Sequence, residues 1–315
     1  MTSPACPACG ATHAVPGQRI SGRFLRAMWR WQFGYSPPAI DTTTQYQCDC
    51  GLRFFHPAQA GDATFYQRVY AAPVLRKWMQ ADPRDHADFV AAAAHLHAGD
   101  RVLDVGGHGG AFARLMPAGA QCTVIDPHAD GYPEADGVLA ETAAEHAARH
   151  PEHYDAVCAF QVIEHVEQPR ALAADMLAAL RPGGLLILAG PSWPSMLTEI
   201  PNMALNAPPN HLTWWSPQAF RRFAESFGLE VIEARTLEAT EAHRRILYWL
   251  WKLTPLPPPD RAYAHDAWWY ATMAFAAVCR GPLNAILGPG KPGPGTDAFL
   301  VARKPARTAT LAKQD

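Results

Sequence analysis

From Asp100 onward, short apolar runs alternate with alanine-rich stretches of helical texture. RVLDV (101–105), QCTVID (121–126), YDAVCAF (154–160) and GLLILAG (184–190) have strand length and little polar alternation. Residues 111–116, 139–149 and 168–180 lie between them and suit helices. Strands that alternate with helices predict an α/β domain, a doubly wound parallel sheet with crossover helices. GVLA (137–140) is a loosely patterned third strand. LEVIEART (229–236) predicts another, with TDAFLVARK (296–304) as its antiparallel partner at the sheet edge. Pro182-Gly183-Gly184 reads as the turn between a helix and the strand after it.

The flanks have a different texture. In 58–98, Phe65, Val69 and Tyr70, then Leu75, Trp78 and Met79, recur at helical spacing, with Pro73 and Pro83 as breaks. Residues 237–295 interrupt the last two strands with ILYWLW (246–251), PLPPP (255–259), AWWYATMAFAAV (267–278) and GPGKPGPG (288–295). That glycine-proline run is no phosphate loop, because no Gly-Lys-Ser or Gly-Lys-Thr occurs. The expected organisation is a cysteine-bearing segment (1–57), a helical linker (58–98), the α/β domain (99–305) with an aromatic insertion (237–295), and a disordered tail (306–315).

Composition narrows the function. The length of 315 residues suits one catalytic-sized domain with a smaller appendage. The hydrophobic fraction of 49% includes 57 alanines, so the larger apolar residues are an ordinary core supply. A net charge of -2 argues against a binder held by nucleic-acid phosphates, and no nucleic-acid partner is expected. The opening MTSPACPACG does not read as a secretory signal, no 18-residue uncharged apolar run occurs, and a cytoplasmic location is expected. Seven cysteines without such a signal suggest reduced thiols or metal ligands rather than disulfides.

The densest signal is Val102-Leu103-Asp104-Val105-Gly106-Gly107-His108-Gly109-Gly110-Ala111-Phe112: a strand, a glycine loop, then a helix. Glycines let backbone N–H groups approach a ligand closely. The dinucleotide pattern G-x-G-x-x-G fails in every frame, and the loop fits D-x-G-x-x-x-G. An acid at 104 repels a pyrophosphate but suits a ligand that carries an ammonium and a sulfonium. Asp126 ends the second strand, where an acid accepts hydrogen bonds from ribose hydroxyls.

With VIDP (124–127), YDAVCAFQVIEHV (154–166), LRPGGLLILAGPS (180–192) and NHLTWWSP (210–217), this loop resembles the class I S-adenosylmethionine-dependent methyltransferases, over about 100–236 and 296–304. The resemblance implies a Rossmann-like sheet with an antiparallel last strand. It implies S-adenosyl-L-methionine held by Asp104, Gly106, Gly107, His108 and Gly110 at the methionine and ribose, Asp126 at the ribose, Glu141 near the adenine (with Glu145 as substitute), and Gln161 near the transferred methyl. His108 departs from the family's D-x-G-x-G-x-G, where glycine is usual. Gln161-Val162-Ile163-Glu164-His165 is similar to the E-x-x-E-H of ubiquinone-type O-methyltransferases, which binds a divalent ion. Gln161 replaces its first acid, so no catalytic metal is expected here.

Methyl transfer from a sulfonium needs alignment and exclusion of water, and a hydroxyl acceptor gains from a base. His165 and His211 are the candidate bases, set against structural roles for either. Trp214 and Trp215 suit a lid or packing on the helix at 217–228. Cys6, Cys9, Cys48 and Cys50 form two Cys-Gly turns of the kind that hold a structural zinc, with free thiols as the other reading. With CGLRFFHP and FYQRVY, this prefix resembles the zinc ribbon of a bacterial methyltransferase group associated with glycan and natural-product pathways. The remaining cysteines suit core positions. RFLRAMWRWQFG (23–34) and the insertion's tryptophans suit a peripheral membrane contact, or packing on each other or across a homodimer. The expected reaction is O-methylation of a small molecule or glycan acceptor, lipid-linked acceptors included. Its rivals are C-methylation of a nucleotide sugar and a cofactor-binding interaction protein without catalysis.

Overall fold

A computed structural model describes residues 3–131, 136–254, 262–263, 267–291, 293 and 295–307. PLPPP, two prolines of the 288–295 loop and residues 308–315 of the expected tail lie outside the described residues. The amino-terminal part holds β1 (Val15–Ile20), α1 (Gly22–Phe33), β2 (Thr43–Gln47) and β3 (Arg53–His56). Then come α2 (Ala63–Tyr70), α3 (Pro73–Met79) and α4 (Ala87–Ala93). The next elements are β4 (Arg101–Val105), β5 (Gln121–Ile125), α5 (Ala143–Arg149), β6 (Tyr154–Phe160), α6 (Pro169–Ala179) and β7 (Leu180–Pro191). The chain ends with α7 (Met196–Glu199), β8 (Thr213–Trp214), α8 (Pro217–Glu225), β9 (Glu230–Leu237), α9 (Glu241–Leu253), α10 (Ala267–Leu287) and β10 (Asp297–Arg303).

The main sheet has the order β5-β4-β6-β7-β10-β9. Neighbours among β4 to β7 pair in parallel, and β10 runs antiparallel to both β7 and β9. This is the expected α/β, Rossmann-like architecture. Alternate residues divide between its faces. Leu103, Val157, Leu186 and Leu300 join α6 and α8 in one core, while Val102, Cys158, Ile187 and Phe299 join α4 in another.

Four expectations change in detail. β10 is not the edge strand; it lies between β7 and β9. Its residues 297–302 are all buried, and so continuous an apolar run needs a neighbour on both sides, whereas β9 exposes part of its polar alternation at the rim. The helix expected at 111–116 is a 3-10 turn, Ala111–Leu115, stopped by Pro117. The third strand is reduced to one bridge, Leu139 to Ile125. The helix after it starts at Ala143, where Thr142 and Glu145 form a reciprocal capping box.

The amino-terminal part shares its core with the domain. β8 pairs with β3 and completes the sheet β1-β2-β3-β8. Cys6, Cys48, Cys50 and Leu52 share a buried cluster with Trp215, Phe220 and Phe223. The Ser216 hydroxyl caps α8 and donates to the Gly51 carbonyl at 3.1 Å. Trp215 stacks on Phe220 at 4.7 Å, and Trp214 packs between Trp193 and Phe55. Both tryptophans are buried, so they are packing residues rather than a lid. Helix α1 buries Phe24, Leu25, Met28 and Trp29 against Phe65, Trp214 and Tyr263. Trp31 at its outer side meets Tyr270 of α10 edge-on. The two aromatic segments therefore touch each other.

Trp214 joins two sheets' worth of packing and donates its indole N–H to the Asn206 carbonyl at 2.8 Å. Trp214→Ala should destabilise the whole chain by about 3–5 kcal/mol, the usual cost of emptying so large a buried site. Urea unfolding should show one transition at a lower midpoint, and an unchanged midpoint would contradict the shared core.

Candidate active site

Two cavities meet beyond the carboxyl ends of β4, β5 and β6. The larger, about 870 Å³, is walled by the glycine loop, Asp104, Asp126, Tyr66, Tyr70 and Val162. The smaller, about 510 Å³, is walled by Leu197, Met203, Leu205, Leu247, Leu250 and Met273, with Thr296 and Asp297 at one end. Trp78, His86, Asp88 and Gln161 line both.

The glycine loop is shaped by lack of space. A Cβ on Gly107 would stand 2.5 Å from an Asp104 oxygen and from Val124, and one on Gly106, at φ +73°, would meet Val162 at 2.6 Å. His108 occupies the left-handed region at φ +48°, and its ring contacts Tyr70. Its backbone N–H donates to Asp126 Oδ2 at 3.2 Å, and that of His128 to Asp126 Oδ1 at 2.8 Å. Burial, with Asp126 and Asp88 nearby, lifts the Asp104 carboxyl to about 7. Its Oδ1 is buried without a hydrogen-bond partner.

Of the expected cofactor residues, Asp104, Gly106, Gly107, His108, Gly110, Asp126 and Gln161 all face the larger cavity. Glu141 does not line it. Its carboxylate is taken by His146 Nδ1 at 2.8 Å and by Arg149, with His146 in turn bonded to the Tyr154 hydroxyl at 2.7 Å. Glu145 is no substitute, because it is engaged in the capping box.

The two candidate bases form an inner cluster. His165 borders the larger cavity, and its Nδ1 lies 2.7 Å from the Asn210 carbonyl. His211 lines neither cavity, and its ring packs against His165 at 4.9 Å. Burial holds His165 down at about 4 and His211 well below its ordinary range. Glu164 is fully buried between them, its two oxygens without hydrogen-bond partners, and burial pushes its carboxyl far above the usual range. Burial thus favours the uncharged form of all three groups. Glu164, His165 and His211 bring one donor atom each within 4.8 Å of the others. Gln161 is turned away from them, and two imidazoles with one carboxyl are not the oxygen-rich shell a hard divalent ion takes, so no step is routed through such an ion.

Sequence reasoning missed the polar group at the junction. Gln161, at φ +56°, donates from Nε2 to Asp88 Oδ2 at 3.1 Å and to Asp297 Oδ1 at 3.0 Å. Thr296 donates to Asp297 Oδ2 at 2.7 Å. Burial lifts both carboxyls, Asp297 to about 6 and Asp88 further pressed by its neighbour. His86 and His243 flank Trp78 at 4.7 and 4.2 Å, and burial lowers both imidazoles. Gln161 itself was expected near the methyl; its partners Asp88 and Asp297, and the flanking His86 and His243, carried no sequence signal.

The amino-terminal cysteines converge. Cys6 and Cys50 sulfurs are 3.7 Å apart, Cys9 and Cys48 3.6 Å, and all four lie within 4.8 Å. Four sulfurs about 2.3 Å from one tetrahedral ion stand about 3.8 Å apart, so the set fits zinc.

The family described as "Methyltransferase domain" matches residues 75–234, half of the chain. The chain belongs to that family. Among curated relatives, the ubiquinone biosynthesis O-methyltransferase of Klebsiella pneumoniae subsp. pneumoniae is 33% identical over 111 residues, 30% of this chain and 46% of that protein. Its counterpart in Yersinia pestis is 36% identical over 95 residues, 27% and 39% of the two. The match thus spans less than half the length of these methyltransferases. Haemonchus contortus phosphoethanolamine N-methyltransferase 2, solved with S-adenosyl-L-methionine, aligns with a TM-score of 0.51 at 15% identity, over 84% of this chain and 63% of that one. That likeness concerns the fold alone.

The buried Glu164, its carboxyl pushed up by desolvation, gives this methyltransferase-family chain a definite pH signature. Its pKa is higher folded than unfolded, so its contribution to stability is full below the unfolded value and fades as pH rises towards the folded one. Glu164→Gln lacks that loss. The melting temperature of the variant minus that of the unaltered protein should therefore increase from pH 5 to pH 8; a constant difference would mean that Glu164 does not titrate as described.

Proposed function

We propose that this chain transfers the methyl group of S-adenosyl-L-methionine to a hydroxyl of a small molecule with an apolar body. The observation that carries the reading is the junction of two cavities of different character at Asp88 and Gln161. The larger suits the cofactor: the unpartnered Asp104 oxygen beside the cavity, with the backbone of Gly106 and Gly107 lining it, fits a ligand with a cationic head. Asp104 would hold the methionine end and Asp126 the ribose hydroxyls. The bound cofactor supplies an electrophilic methyl; the chain aligns the acceptor and keeps water out.

The smaller cavity supports the acceptor class. Its walls are mainly leucine, isoleucine, methionine and aromatic side chains, and beyond the junction only Gln32, His243 and Arg280 add polar groups, too few for the many hydroxyls of a glycan or nucleotide sugar. They favour a lipid-linked or otherwise apolar molecule whose reactive group reaches the polar end at Asp88, Gln161 and Asp297. Such a cavity, lined by residues of α9 and α10, gives the aromatic insertion a role. S-adenosyl-L-methionine should bind the purified protein, and Asp126→Ala should weaken binding by about 1–3 kcal/mol in calorimetry. With methyl-labelled cofactor and an extract of small molecules, the label should pass into the organic phase. Label confined to polar glycans would overturn the acceptor class.

We also infer a structural zinc on Cys6, Cys9, Cys48 and Cys50, which gives the first 57 residues the character of a zinc ribbon. The sulfur spacings support it, and so does the acid–base state of the set. Cys6 is drawn down to about 5 by the Cys50 thiol beside it while Cys50 is pushed up, so the pair retains a single proton and readily yields thiolate. Protein prepared without chelator should contain about one zinc per chain, and Cys48→Ser should lose the metal and melt at a lower temperature. Metal-free protein of undiminished stability would reject the site.

A further inference from the structure

Resting on that reading of the two cavities, we propose that the proton acceptor of the reaction is the Asp88–Asp297 carboxyl pair, and that neither candidate histidine serves. The transferred methyl must cross from the larger cavity to the smaller, and of the residues that line both, Asp88 is the one acid. Asp297 stands beside it, joined through the Gln161 amide. His211 reaches neither cavity, and the Nδ1 of His165 faces the Asn210 carbonyl, so its ring is held on the cofactor side.

The pair has the chemistry required. Two buried carboxyls this close hold a proton between them more readily than either would alone. Each is nevertheless held ready to ionise by donors: Gln161 for both, Thr296 for Asp297, the Phe89 backbone N–H for Asp88. A carboxylate here faces the sulfonium across the junction and accepts the hydrogen bond of the acceptor hydroxyl. The acceptor oxygen forms the new C–O bond, the C–S bond breaks with its electrons left on sulfur, and the hydroxyl proton passes to the carboxylate oxygen. His86, 91% buried and with an unpartnered Nε2 at the same junction, offers the next station for that proton on its way out.

Gln161 also gains a reason. An acid at that position, as in E-x-x-E-H, would be a third carboxyl against Asp88 and Asp297 and has no hydrogen to donate when ionised. An amide donates to both.

The test uses two cofactor analogues on the full chain: S-adenosylhomocysteine, which lacks the methyl, and sinefungin, which carries an amine where the methyl sits. Sinefungin should bind the unaltered protein at least about tenfold tighter, as one charge-assisted hydrogen bond supports. Asp88→Asn and Asp297→Asn, both checked by thermal melting, should bring that ratio towards one while S-adenosylhomocysteine affinity stays within about threefold. Labelled methyl transfer into the organic phase should fall by about 10²–10⁴ in Asp88→Asn. A ratio that survives in both variants, or equal weakening of both analogues, overturns the pair's role. If Asp88→Asn fails to fold, Asp297→Asn decides by the same ratio. No S-adenosylhomocysteine binding to unaltered protein removes the proposed function itself, and this role with it.

Discussion

Two carboxyl groups taken out of water have to be reconciled at the centre of this molecule. Asp88 opens α4, Asp297 opens β10, and Gln161 follows the end of β6. Burying both acids raises the free energy of their charged forms, and their proximity raises it again. One side-chain amide answers both, and it does so only because residue 161 takes a left-handed backbone conformation that is unusual for glutamine. The sheet, the linker helix and the strand after the insertion are thereby tied at one point. That same point is where the cavities meet. The price of such an arrangement is tolerable where a cationic ligand is to come, because a positive group relieves the repulsion that the folded chain must otherwise carry.

The amino-terminal cysteine segment is integral to this arrangement. It lends β3 to a strand pair with β8, and β8 lies in the segment that also carries Asn210, His211 and the two buried tryptophans. The backbone of Leu212 donates to the Glu164 carbonyl at 2.7 Å. A chain of contacts thus runs from the cysteine knuckles through α8 and Trp215 to the strand end that bears Gln161. The segment supplies Trp31, Gln32 and Phe33 to the wall of the smaller cavity, while none of its cysteines lines either cavity.

Much of the fold was legible because its signals are local. Buried parallel strands need unbroken apolar runs, and a strand turning into a helix through a crowded loop needs glycine at 106 and 107; both leave marks in consecutive residues. The paired Cys-Gly turns were visible for the same reason. What stayed hidden depends on distant residues meeting. Asp88 lies in a helical linker and Asp297 at the start of the last strand, and nothing near either marks it as half of a pair. His243 sits on an aromatic helix whose pattern speaks of packing. Glu141 misled for the opposite reason: its position suited a ligand, but His146 and Arg149 on the next helix turns had already claimed its charge.

The histidines show why position along a motif does not fix a role. His165 follows a strand end, where α/β sites gather, and its ordinary acid–base range fits a general base. Folding removes that fitness. Burial beside His211 and an uncharged Glu164 leaves an imidazole that resists protonation, with one nitrogen turned to a backbone carbonyl. A base must hold the proton it takes, and a carboxyl lifted towards neutrality holds one better than an imidazole depressed to about 4. The protein has in effect exchanged the usual ranking of the two groups: the acids near the junction have become the better proton acceptors, and the histidines behind them have become part of the wall.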